Sequence, residues 1–271
     1  MHGVSQPAAS KRLRTLERSM GVHLVQRTPS GSQLTDEGRV AADWAGRVFD
    51  TIEQMLDAIG AIKAHGTPDL RLASSMTIAE HLVPEWLSVL RRREPDTHVG
   101  LRVTNSQEVQ RLVLEGHVDI GLVETPTIAE QLDSMVIGSD RLVVIVPPSH
   151  EWAARESPLT TAELGRSDLI VREQGSGTRE ALDHTIGDVE RVEPVLELGS
   201  NAAVKGAVTA GAGAAVLSGL AVNHELVSGQ LVEVAVVGIN LERTLSAVWQ
   251  RGRSLDDLDR AFLQIAATTS I

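Results

Sequence analysis

Four short segments place hydroxyl and amide side chains where an apolar, strand-like run gives way to a helix-like one. Ser74-Ser75-Met76-Thr77 follows Leu70 to Ala73, and Asn105-Ser106 follows Val99 to Val103. Gly175-Ser176-Gly177-Thr178-Arg179 follows Leu169 to Val171, and Ser200-Asn201 follows Val195 to Leu198. Open α/β sheets take ligands at the carboxyl ends of their strands, where helix starts point backbone N–H groups outward. Helix capping explains any one such segment better than a ligand does. Four of them, at corresponding points of two lobes, describe a cleft rich in hydrogen-bond donors and poor in aromatic rings. Its natural guest is a small anion: an inorganic oxyanion, a carboxylate or a sugar phosphate. Arg172, Arg179 and Lys205 lie near the second-lobe junctions. Each is expected to pair with Glu173, Glu180 or Glu197 rather than to hold a ligand.

The parts an enzyme would need are missing from the pattern. The glycine-rich stretch at 175–179 lacks the Gly-Lys-Ser/Thr ending that grips nucleotide phosphates. The nine His are scattered without metal-ligand spacing, and the chain has no Cys. No Gly-x-Ser-x-Gly elbow joins a strand to a helix. No catalytic residue, metal or cofactor is therefore expected. No apolar run reaches the ~18 residues needed to span a bilayer, and the first residues do not read as a signal peptide. A soluble cytoplasmic protein, without membrane contact, is expected.

Charge is unevenly placed. Residues 1–35 carry Lys11, Arg12, Arg14, Arg18 and Arg27 against Glu17 alone, a net +4 in a chain of −11. A basic head on an acidic body confines any nucleic-acid contact to the head. Ser5 is a good N-cap and Pro7 suits a first helical turn. Ala9, Leu13, Leu16 and Met20 then repeat at helical spacing, and Gly21 closes the helix. Two short strands around a turn at Arg27-Thr28-Pro29-Ser30-Gly31 follow. A basic helix with a β-hairpin behind it is half of a winged helix-turn-helix.

The run Val4-Ser5-Gln6-Pro7-Ala8-Ala9-Ser10-Lys11, then Leu16-Glu17, Gly21-Val22-His23-Leu24-Val25-Gln26-Arg27-Thr28 and Leu34-Thr35-Asp36-Glu37-Gly38 resembles the DNA-binding domain of LysR-type transcriptional regulators. The resemblance implies base-reading positions at Gln6, Pro7, Ser10 and Lys11, with phosphate contacts at Arg27 and Thr28 in the wing; Arg14 joins this DNA-binding set. The family pattern has a scaffold helix and most of a positioning helix before Ser-Gln-Pro, whereas this chain starts three residues before Val4. Leu13, Leu16 and Met20 are then expected to lose part of their burial, worth roughly 1.5–3 kcal/mol each, and specific DNA binding is expected to suffer.

Residues 36–66 read as one long linker helix. Thr35 caps it, with Asp36 and Glu37 in its first turn. Ala41, Ala45, Val48, Ile52, Met55, Ile59 and Ile62 alternate by four and three, a seam that fits a helix-on-helix dimer contact; the dimerisation set is Val48, Ile52, Met55 and Ile59. The alternative is an amphipathic helix lying on its own domain.

Residues 69–271 alternate strand and helix, which implies a mostly parallel sheet with right-handed crossovers. One helix is expected over Thr77 to Arg93, a strand over Leu142 to Val146, a strand over Leu231 to Val237, and a returning strand over Leu245 to Trp249. The chain crosses out near 145 and back near 245, giving lobe I (69–142 and 249–271) and lobe II (143–248). The fold expected is thus α/β: a partial winged helix-turn-helix over 1–35, the linker helix, and a two-lobed effector-binding domain similar to periplasmic solute-binding proteins. The resemblance extends to this domain and carries effector contacts to Ser75, Thr77, Ser106, Thr178 and Asn201. Gly177 joins them, because glycine permits close backbone approach to an oxyanion. Two functions remain open. One is a LysR-type regulator that binds operator DNA as a homodimer or homotetramer and senses a small anionic effector. The other is a regulator-derived small-molecule binding protein without specific DNA binding.

Overall fold

The computed structural model describes residues 6–28, 31–35, 37–42, 44–45, 69–187, 189 and 192–269. The chain divides into two compact units, 1–67 and 68–271.

In the first unit, α1 (Gln6–Met20) ends at Gly21, whose φ of +71° lets its N–H return to the Glu17 carbonyl at 2.8 Å. The hairpin β1 (Val25–Thr28) and β2 (Gly31–Leu34) follows, paired antiparallel with Val25 opposite Leu34. Glu17 ties helix to hairpin by accepting from the Leu24 and Val25 amides at 2.8 and 3.3 Å. The Leu24 amide holds that carboxyl below its ordinary range, against an opposing effect of burial. The Thr35 hydroxyl donates to the His23 carbonyl and accepts from the Gly38 amide at 2.9 Å, capping the helical residues that begin at 37. Leu24 is buried, but Leu16, Met20, Val22, Val40 and Trp44 are exposed. Met20, Val22, Leu24 and Val40 line an apolar groove of about 380 Å3. Burial is therefore short for Leu16 and Met20, as the sequence implied, whereas Leu13 is half-buried. The seam positions Val48, Ile52, Met55 and Ile59, and the Ser5 cap, lie outside the described residues.

The second unit opens with β3 (Leu70–Ser75), α2 (Met76–His81) and α3 (Val83–Arg93). The single helix expected over 77–93 is thus two. Pro84, in the first turn of α3, has no N–H to continue a helical ladder and crowds the carbonyl four residues back. Then come β4 (Val99–Thr104), α4 (Ser106–Leu114) and β5 (Ile120–Val123). The next strand, β6 (Leu132–Val146), is three times the length expected. In its first eight residues only Leu132 and Ile137 are buried, and Asp133, Ser134, Gly138 and Ser139 interrupt the apolar positions, so no buried-strand run stands out there.

The remaining elements are β7 (Leu159–Thr160), α5 (Thr161–Gly165), β8 (Leu169–Arg172), α6 (Gly177–Ile186), β9 (Leu196–Leu198), α7 (Asn201–Thr209), β10 (Ala214–Ser218) and α8 (Gly219–Val227). After them lie β11 (Val232–Val234), β12 (Val236–Val237), β13 (Glu242–Gln250) and α9 (Asp257–Thr268). The single strand expected over 231–237 splits at Ala235: β11 pairs with β6 and β12 with β7.

The strands run in the order β4-β3-β5-β13-β6-β10-β8-β9. β3 pairs parallel with β4 and β5, and β8 parallel with β9 and β10. Each lobe is therefore built on a small parallel sheet; antiparallel β6 runs through both, while β13 pairs with β6 and β5 in lobe I. The register of β13 on β6 shifts between Leu245 and Ser246, a bulge opposite Ile137 inside the lobe I core. In lobe I, Trp86 of α3 meets Phe262 of α9 edge to face at 6.4 Å within a core that includes Leu72, Ile120 and Leu122. In lobe II, Leu142, Val144, Leu169 and Val216 pack under α6 on one face; Ile145, Ile170 and Leu217 pack under α7 and α8 on the other. Helices cover both faces, so the central strands β5 and β10 are buried along their whole length.

Candidate functional site

The helices that start after β3, β4, β8 and β9, and the loop that leaves β5, bring their first residues together across the waist. Ser75, Thr77, Ser106, Thr178 and Asn201 are all buried. Ser106, Thr178 and Asn201 are not the caps of their helices. Asn105 caps α4, accepting from the Glu108 amide at 3.0 Å, and Ser200 caps α7, accepting from the Ala203 amide at 3.1 Å. Ser75 stands at the N-cap position of α2 without making the cap bond, and its hydroxyl has no partner among the described residues. Helix capping thus leaves these side chains free for other work.

Thr77, Ser106 and Thr178 share one partner, Glu124, which follows β5 and is two per cent exposed. Its Oε1 accepts from the Thr77 hydroxyl of lobe I at 3.1 Å and the Thr178 hydroxyl of lobe II at 3.4 Å. Asn201 donates to the Thr77 oxygen at 3.5 Å, and Arg243 to the Thr178 oxygen at 3.0 Å. Each threonine accepts on one side and gives its single proton to Glu124. Ser106 Oγ accepts from the Glu124 amide at 3.4 Å. Glu124 Oε2 makes no hydrogen bond but lies 3.3 Å from Arg243 Nη2. Arg243, from β13, is fixed by Asp140 of β6. The site therefore holds a carboxylate of its own at the meeting point of the donors.

The flanking cations pair as follows. Arg172 binds Glu173 at 2.8 and 2.9 Å, as expected, and also Asn201 Oδ1 at 2.6 Å. Arg179 pairs with Asp183 and, more distantly, with Glu197, not with Glu180. Lys205 pairs with Glu225. Glu180 instead accepts from Thr125 of the opposite lobe; burial first, and Asp183 second, raise its carboxyl above the ordinary range. Gly177 makes its close approach to lobe I: a Cβ there would lie 2.7 Å from both Glu124 Cγ and Ser106 Oγ.

Glu124, Arg243 and Asp140 were absent from the sequence-derived site. Each is a charged residue in or just beyond a stretch reading as buried strand, and that was the available signal. Among the described residues no cluster of His, Asp and Glu suits a metal ion, and no helix is long and apolar enough to cross a membrane.

In the head, Lys11 and Arg14 stand exposed one turn apart on α1. Gln6, Pro7 and Ser10 occupy the first turns of the same helix, and Arg27 and Thr28 close β1.

A basic helix with a hairpin, joined to a two-lobed α/β domain with a waist cleft, defines a ligand-responsive transcription regulator. Residues 63–270 match the LysR substrate binding domain, and residues 1–39 match the bacterial regulatory helix-turn-helix protein, lysR family. The chain belongs to the LysR family of transcriptional regulators. An uncharacterised HTH-type transcriptional regulator of Mycobacterium bovis is 40% identical over 262 residues, covering 93% of this chain and 84% of its own. YeiE of Escherichia coli, also an uncharacterised HTH-type transcriptional regulator, is 33% identical over 264 residues, covering 97% and 88%. The regulatory domain of Synechocystis CcmR in complex with 2-PG superposes with a TM-score of 0.65 at 30% identity, covering 73% of this chain and 95% of that one.

Proposed function

We propose that this regulator binds operator DNA through Gln6, Pro7, Ser10, Lys11, Arg14, Arg27 and Thr28. It pairs through the seam at Val48, Ile52, Met55 and Ile59, and responds to a small anion taken up between the lobes. The observation that carries the effector reading is the convergence of Thr77, Thr178 and Arg243 on the Glu124 carboxylate. A pocket that satisfies one buried carboxylate offers the same donors to another anion. The effector takes the position of the Glu124 carboxylate head, adds the unpartnered Ser75 hydroxyl, and gains from the positive first turns of α6 and α7. Displacing Glu124 couples occupancy to the lobes, because Thr77 and Thr178 sit on opposite sides of the waist. A ligand that prefers one lobe spacing then shifts the population seen by the DNA heads. The liganded CcmR domain supports a small-molecule guest in this fold.

Thermal shift and calorimetry against sulfate, sulfite, phosphate, small carboxylates and sugar phosphates test this reading. A binding anion should raise the melting temperature. Thr178→Ala and Ser75→Ala should weaken it. Glu124→Gln, which removes the competing charge, should tighten it. An anion whose affinity ignores all three substitutions binds elsewhere and overturns the assignment.

A further inference from the structure

Two glycines set how closely the lobes meet. Gly177 has no positive φ, so its backbone would accept any residue. Inside a helix alanine is favoured over glycine by roughly 0.5–1 kcal/mol. Glycine is required there by space alone: its missing Cβ would collide with Glu124 and Ser106 of lobe I. At Gly175, φ is +82°, and a Cβ would lie 2.5 Å from Gln107 Oε1 and 3.1 Å from Gln107 Cβ, again in lobe I. The Gln107 amide donates to the Gly175 carbonyl at 3.1 Å. One turn further along α6, the Thr125 hydroxyl of lobe I donates to Glu180. Three contacts in a row thus close one seam. Inside it lie buried Thr77, Thr178 and Glu124. Outside it is an open groove of about 590 Å3, lined by Asn105, Gln107, Gln110, Thr127 and Glu180 among others.

We propose that the start of α6 is a clasp that must part for an effector to reach the cleft. The bare backbone at Gly175 and Gly177 sets its closed height, Thr125 and Glu180 are its latch, and the outer groove is the vestibule. The inference rests on the cleft being the effector site. The clasp itself is a statement about lobe spacing, and it is measured without any effector.

The chain has no cysteine, so two labels can be placed without background. Glu130→Cys on lobe I and His184→Cys on lobe II, both exposed, carry spin labels whose separation is read by pulsed electron paramagnetic resonance. Against the doubly labelled parent, Gly177→Ala should move the distance distribution to longer values, because the lobes cannot close over a Cβ. Thr125→Val and Glu180→Gln, which add no bulk at the seam, should each add a population at longer distance. Those two variants decide the matter if Gly177→Ala fails to fold. Distributions that superimpose on the parent for the latch variants, or for a folded Gly177→Ala, overturn the clasp. Failure of every anion in the binding screen leaves this distance measurement unaffected, so the two readings fail separately.

Discussion

Arg243 and Asp140 are direct cross-strand partners on β13 and β6, the two strands that join the lobes, and both are buried. Arg243 gives Nε and Nη2 to one oxygen of Asp140, at 2.9 and 2.6 Å, and reaches with Nη1 to Thr178 of lobe II. Its second carboxylate neighbour, Glu124, belongs to lobe I. A charge held at the waist by its own strand partner thus touches both halves of the cleft, and the site inherits the geometry of the crossing strands.

Removing that arginine leaves two buried carboxylates without a counter-charge. Breaking a buried pair in this way costs about 3–5 kcal/mol. Arg243→Met should lose this much in urea unfolding. The double variant Arg243→Met with Asp140→Leu should recover much of it, because the orphaned charge goes too. A loss below about 1 kcal/mol for the single variant means that Arg243 does not hold the waist together.

Acid should weaken the turn at α5 through Glu163. The Thr160 amide, then Arg155 and the Thr160 hydroxyl, hold this carboxyl down to about 2, from an ordinary 4.5. The unfolded chain takes up the proton at higher pH than the folded one. The stability this carboxylate contributes is complete above 4.5 and drains away as pH falls toward about 2. Glu163→Gln should therefore be less stable than the parent at neutral pH, by an amount that shrinks in this acid window. A difference that stays constant from neutral pH into the window removes Glu163 as the cause.

In the head, Gln6→Ala and Lys11→Ala should weaken operator binding by ~1–3 kcal/mol each and relax specificity, as base-reading positions do. Arg27→Ala, placed on phosphate, should weaken all DNA alike and reduce the salt slope by about one. Electrophoretic titrations at several salt concentrations separate the two patterns. Equal loss on operator and random DNA for Lys11→Ala removes its base-reading role.

Charged replacement of Ile52 and Ile59 together should give monomers in light scattering, because two charges would face an apolar seam. An unchanged particle mass removes the pairing role from 36–66.

What the sequence by itself determined is local. The helix ending at Gly21, the hairpin behind it and the strand-to-helix junctions at Ser75, Ser106, Thr178 and Asn201 all follow from spacing, capping chemistry and apolar runs, each within a dozen residues. The break at Pro84 is local too, because proline's missing N–H acts on its own helix, although the apolar spacing over 77–93 reads straight through it. The tertiary structure decided everything that depends on register between distant strands. Asp140 and Arg243 are separated by 103 residues, and only the pairing of β6 with β13 sets them opposite each other. The first half of β6 holds only the short run Met135-Val136-Ile137 among polar residues, and which of these turn inward is set by neighbours not yet placed. Glu124 followed a buried strand like any loop residue. It became the centre of the site only when two lobes closed over it and supplied, from both sides, the donors that a buried carboxylate requires.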